Sequence, residues 1–158
     1  MADNLLPMNG IDENFSAGRS DQTEIRYRNG IAFDYQTGDF KRDGKNKILD
    51  SDGIESWKSW CYNCLQTERY KHLAYSTDFG IETDAAFRAS SPDEAESILT
   101  REITEAIMAD PYQRTLYIPE IRFVWVSPDE VEVYVTIQGV DDVTIDIIAY
   151  ITKGGIVA

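Results

Sequence analysis

The last third of the chain constrains the fold most, because its residues repeat with a period of two. Ile121, Phe123 and Trp125 alternate with Arg122, Val124 and Val126. Ser127-Pro128-Asp129-Glu130 has turn chemistry. Val131, Val133, Val135 and Ile137 then alternate with Glu132, Tyr134, Thr136 and Gln138. A second turn, Gly139 to Asp142, leads into a third β-prone run from Val143 to Ile151. Successive side chains on a strand point to opposite faces, so each run lines one apolar face. Connections this short join antiparallel neighbours, since parallel strands need a crossover of a dozen residues or more. The sequence therefore predicts an antiparallel meander with one face to be covered.

Two amphipathic helices are available as the cover. Asp50-Ser51-Asp52 offers side-chain oxygens to the unsatisfied N–H groups of a helix start. Behind it, Ile54, Trp57, Trp60, Cys61, Cys64 and Leu65 form one apolar stripe, which predicts a helix over 53–66. The second helix begins at Ser91, a capping residue, with Pro92 suited to the first position and Asp93 and Glu94 facing the positive end of the dipole. Ala95, Ile98, Leu99, Ala106 and Ile107 give its buried face, with Ile103 near the edge. It stops before Asp110-Pro111, because a residue preceding proline avoids the α region. The expected class is α+β: an antiparallel sheet with two principal helices packed against it.

Upstream, residues 23–49 read as a small antiparallel β element. Ile25 and Tyr27, then Ile31, Phe33 and Tyr35, give two short strands that meet at Asn29-Gly30. Turns at Thr37-Gly38-Asp39 and Asp43-Gly44 flank a strand at Phe40-Lys41. Residues 1–22 are polar and broken by Pro7, Gly10 and Gly18, which predicts a flexible arm. Leu5, Leu6, Met8, Ile11 and Phe15 are its few anchors should a neighbouring protein order it. Residues 23–158 read as a single domain, long enough for a real core.

Charge narrows the partners. The chain has 28 acidic and 15 basic residues, net −13. Phosphate-backbone binding needs clustered Lys and Arg, and anionic lipid repels such a surface, so neither nucleic acid nor membrane is an expected partner. A basic protein surface is. No apolar run approaches the ~20 residues that span a bilayer, and Met1 to Met8 lacks a signal-peptide pattern, so synthesis in the cytoplasm is expected.

Few residues suggest chemistry. Cys61 and Cys64 have redox or zinc spacing, but they lie on the apolar stripe of a helix and His72 is the only histidine. Buried thiols are the expectation. His72 near Ser76 and Asp78 lacks a nucleophile elbow. Asp39 to Asp50 has a partial calcium-loop spacing, but Lys41 stands where an oxygen ligand belongs. No catalytic residue, metal or cofactor is expected, and the chain is not expected to be an enzyme.

The stretch between the helices carries more. Leu65-x-Thr67-Glu68-Arg69 followed by Tyr75-Ser76-x-Asp78-Phe79-Gly80 resembles the baseplate wedge proteins related to the sheath initiator of contractile phage tails and phage-tail-like particles. The branch it is most similar to is that of Gram-positive prophages and defective particles. The likeness covers roughly residues 30–150, and the order of elements agrees with it. Better-known members carry a Glu-Pro-Arg triplet after the second helix; here the place reads Asp110-Pro111-Tyr112, without the arginine.

The resemblance implies a structural protein of a virion or tail-like particle. Several copies, six being the expected number, would surround the central tube or hub, bind other wedge proteins and give the first ring of tail sheath protein its template. Thr67, Glu68, Arg69, Asp78, Phe79, Gly80, Asp110, Pro111 and Tyr112 are then expected at partner contacts. Arg69 is suited to planar pairs with carboxylates or carbonyls, with Glu68 as a local partner, and Gly80 to a positive φ. Val143, Ile145, Ile147, Ile148 and Tyr150 are expected to meet the sheath if their strand lies at an edge, where unpaired backbone groups accept a further strand. A central strand would be closed to this. The other classes consistent with the sequence are a small cell-wall hydrolase, since some relatives are described as tail lysozymes, and a generic acidic cytosolic adaptor.

Overall fold

The computed structural model describes residues 27–154. The N-terminal arm, its anchors and Ile25 lie outside them. The elements are β1 (Gly30–Ile31), β2 (Phe33–Asp34), β3 (Asp39–Phe40), β4 (Asp50–Ser51), α1 (Gly53–Leu65), α2 (Asp84–Phe87), α3 (Pro92–Met108), β5 (Thr115–Ser127), β6 (Glu130–Gly139) and β7 (Thr144–Thr152). The architecture is α+β.

β5, β6 and β7 form the expected meander, with β6 between the other two. Phe123 stands opposite Val133, and Val133 opposite Ala149. Val131, Val133, Val135 and Ile137 of β6, with Ile145, Ile147, Ala149 and Ile151 of β7, are all buried on one face. β5 starts earlier than its alternating part. Its inward residues Ile121, Phe123 and Trp125 are only half-buried. Pro119 and two register shifts between Thr115 and Glu120 interrupt its pairing, as edge strands allow. The last strand runs one residue later than expected, so Val143 lies in the turn.

The helices cover the apolar face. Asp52 caps α1 by accepting the Glu55 N–H at 2.8 Å, and Ser91 caps α3 by accepting the Glu94 N–H at 3.3 Å. Trp57, Cys61, Cys64 and Leu65 are buried together with Leu99, Ile103, Ala106 and Ile107. Two expectations need correction. Ile54 is 43% exposed. Its position on the helix wheel is inside the stripe, at the first turn of α1, ahead of the buried Trp57. Ile103 is fully buried and Ile98 only half, so the stripe of α3 is centred on Leu99 and Ile103.

Among the described residues no hairpin is paired across Asn29-Gly30. Gly30–Ile31 pairs instead with Asp50–Ser51, just ahead of α1, and Phe33–Asp34 pairs with Asp39–Phe40. The turn chemistry sits at Asp34, whose carboxylate accepts the Gln36 N–H at 2.9 Å and is held below its usual pKa chiefly by that bond. Gly38, at φ +70°, completes the reversal.

Candidate assembly interface

The stretch singled out between the helices is a loop closed at its neck. The Arg69 N–H donates to the Ile81 carbonyl at 3.0 Å, and the Ile81 N–H to the Thr67 carbonyl at 3.0 Å. The Thr67 hydroxyl turns back to the Asn63 carbonyl at 2.7 Å, so it ends α1 rather than facing outward. Gly80 takes φ +97°, and a Cβ there would stand 2.6 Å from the Thr67 carbonyl oxygen. Only glycine fits that neck without strain.

Arg69 clamps the same neck to α3. Its Nε donates to the Gly80 carbonyl at 2.9 Å, and Nη1 lies 3.5 Å from Glu102 and 3.8 Å from Glu105. Glu102 is buried, and its two oxygens also take the Glu82 N–H at 3.3 Å and Arg101 at 3.2 Å. Glu68 is not the local partner of Arg69; it pairs with Lys71. The reason is directional: a bridge pairs Glu68 with Ile81 while Arg69 reaches inward to α3.

A second cluster follows α3. Asp110 and Arg114 are both buried and form a fork. Arg114 Nε meets Asp110 Oδ2 at 2.8 Å, and Nη2 meets Oδ1 at 2.8 Å. The same carboxylate accepts the backbone N–H groups of Arg114 at 2.9 Å and Tyr112 at 3.2 Å. The Arg114 guanidinium lies 5.7 Å from the Trp60 ring centre and 5.1 Å from that of Tyr112. Asp110 is spent inside the chain; Tyr112, about half exposed, faces outward. Phe79 rests against Tyr75 at 4.7 Å and Trp60 at 5.7 Å, while Asp78 is exposed.

The third place is the β7 edge. Among the described residues no strand pairs with β7 on the side away from β6. The Gly139 N–H donates to the Val143 carbonyl at 2.7 Å, and the Lys153 N–H to the Asp129 carbonyl at 2.9 Å. Odd-numbered residues at both ends therefore bond toward β6. Backbone groups alternate along a strand, so those of Asp146, Ile148 and Tyr150 point to the open side. The side chains of Ile148 and Tyr150 are exposed as well, whereas those of Ile145 and Ile147 are buried in the core. Beside this edge lies a cleft of about 590 Å³, lined by Phe33, Tyr35 and Tyr62 along with Asp146 and Ile148.

Cys61 and Cys64 are free thiols in the core. Burial raises the pKa of both, that of Cys64 to about 11. A thiol held protonated in this way is a poor nucleophile and a poor ligand.

The neck, the buried fork and strands β1 to β6 fall within residues 29–142, a span matched by the family model for contractile injection system sheath initiators. The chain belongs to that family. It is a structural component of a phage tail or tail-like particle, of the kind that starts a contractile sheath and contacts sheath and baseplate. The match ends before β7. No curated protein matches the chain.

Of the expected partner-contact residues, Asp78, Pro111, Tyr112, Ile148 and Tyr150 present side chains to solvent. Arg69 and Asp110 are committed to internal partners. Sequence reasoning missed Glu102, Arg114, Trp60 and Tyr75. Arg114 left a local signal, four residues after Asp110; Trp60 stood on the helix stripe and Tyr75 in the quoted motif without being read as contacts. Glu102 lies far along the chain from Arg69, and nothing local joins them.

Proposed function

We propose that this sheath initiator is a baseplate wedge component that joins wedge proteins to the hub and tube and seeds the sheath through the open edge of β7. Six copies would ring the tube, in a particle of the Gram-positive prophage type made in the host cytoplasm. The observation that carries the reading is the β7 edge, which no strand pairs among the described residues. Edge strands are usually blunted by charge, proline or bulges. β5 has Pro119 and irregular register, whereas β7 carries Asp146 as its only charge. A sheath segment laid along β7 would take its backbone hydrogen bonds from Asp146, Ile148 and Tyr150. Its side chains would find the cleft beside them, where Phe33, Tyr35 and Tyr62 stand with Lys41, Glu55 and Lys58. The remaining contacts, around Asp78, Phe79 and Tyr112, face the wedge neighbours.

Two proline variants test this. Ile147→Pro removes an N–H that faces β6 and places a ring in the core, so the isolated protein loses its fold or melts far lower. Ile148→Pro removes an N–H on the open side, so the fold persists, but purified sheath protein no longer polymerises from the baseplate. Normal sheath growth from Ile148→Pro baseplates would rule out the β7 edge.

A further inference from the structure

A second cleft, of about 540 Å³, opens between α1, the loop closed by Arg69 and Ile81, and the corner at Pro111. Trp60, Tyr75 and Phe79 line it, and their ring centres are close enough to make one aromatic wall. Asp78 is the only charged residue of the lining. Aromatic faces carry negative potential, and a carboxylate beside them adds to it. No lysine or arginine of the lining balances either. The neighbouring side chains show what such rings accept: Arg114 lies over Trp60 and Tyr112, and Arg28 lies 5.3 Å from the centre of the Tyr112 ring.

We propose that this cleft is a binding site for an arginine side chain of a protein partner, held by the faces of Trp60, Tyr75 and Phe79 and paired with Asp78. Arginine fits better than lysine, because its planar and weakly hydrated guanidinium stacks on rings and forks to a carboxylate. The net charge of −13 favours approach of a basic segment. Leu73, fully exposed at the loop tip, and Tyr70, at φ +69°, stand on the same loop and would meet the backbone that carries the arginine. The proposal rests on the reading of this loop as a face toward a protein neighbour, and it adds the chemistry that the neighbour must bring.

The test needs no other particle protein. The full chain, labelled with ¹⁵N, is titrated with Nα-acetyl-arginine amide at fixed ionic strength, and separately with the neutral citrulline analogue. The readout is the indole N–H signal of Trp60. The arginine probe should give a saturable shift, with citrulline at least about fivefold weaker, as expected where a cation–π contact and a charge pair are both lost. Asp78→Asn and Tyr75→Ala, both exposed positions, should each weaken binding about threefold or more. Asp129→Asn, an exposed acid elsewhere, should not. A shift that stays linear, equal binding of citrulline, undiminished binding by Asp78→Asn, or equal weakening by Asp129→Asn would each overturn the proposal. Failure here leaves the β7 reading standing, and normal sheath growth from Ile148→Pro leaves this one standing.

Discussion

The buried fork between Asp110 and Arg114 is the most consequential pair of residues outside the apolar core. Breaking a buried pair strands the other charge, which costs about 3–5 kcal/mol. Arg114→Ala should lower stability by about that much in urea unfolding, and Arg114→Lys should recover little, because an ammonium cannot make both bonds to the carboxylate. Recovery by lysine would mean that the charge matters and the fork does not. The thiols give a pH test. Cys64 is raised from 9.0 to about 11 by burial, so the unfolded chain loses this proton first. Stability from this group is therefore full below pH 9 and declines as pH rises toward 11. Melting temperature should fall across that window, less in Cys64→Ala than in wild type. At pH 8 a disulfide exchange reagent should find neither thiol in the native protein and both in urea. Burial of these cysteines was legible from their place on the helix stripe. The fork was half legible: the acid and proline stood out, but the arginine four residues on needed the turn that returns it to the carboxylate.

At the scale of elements, the local signals held and the distant ones were silent. Ser91-Pro92 and Asp52 set helix starts through bonds made within one turn, so the sequence shows them directly. The period of two in β6 appears unchanged in its burial. The small strands differ from expectation because Asn29-Gly30 is good turn chemistry whose second strand found another partner. Gly30 was taken by Ser51 from beyond two further turns. The Arg69 clamp is the clearest case of a distant contact. Arg69→Ala frees the loop neck and leaves Glu102 buried with Arg101 as its remaining ion-pair partner. A loss of about 2 kcal/mol is expected, with Arg69→Lys only partly restoring the melting temperature. An unchanged melting curve together with failed binding of baseplate proteins would move Arg69 from structural clamp to partner contact. Gly139 offers a second element-scale test. A Cβ there would run into the Trp57 ring and stand 2.5 Å from the Tyr27 hydroxyl, which itself donates to the Val140 carbonyl at 2.8 Å. Gly139→Ala should therefore destabilise the end of β6, seen as faster amide exchange at Val140 and Val143.

The whole molecule has a closed core of two helices on one face of the meander. Among the described residues no strand pairs with the outer edge of β7. The sequence made the meander plain, and with it β7 at the end of the order. What it left open was whether the N-terminal strands would add to that edge. They pair with one another instead. The central claim is that the first sheath ring begins on β7. A reconstruction of the assembled baseplate with its first sheath ring tests this most directly. The account predicts a sheath segment lying as a fourth strand beside β7, hydrogen-bonded to Asp146, Ile148 and Tyr150. A β7 edge left bare, with the sheath resting on β5 or on the helices, would contradict it.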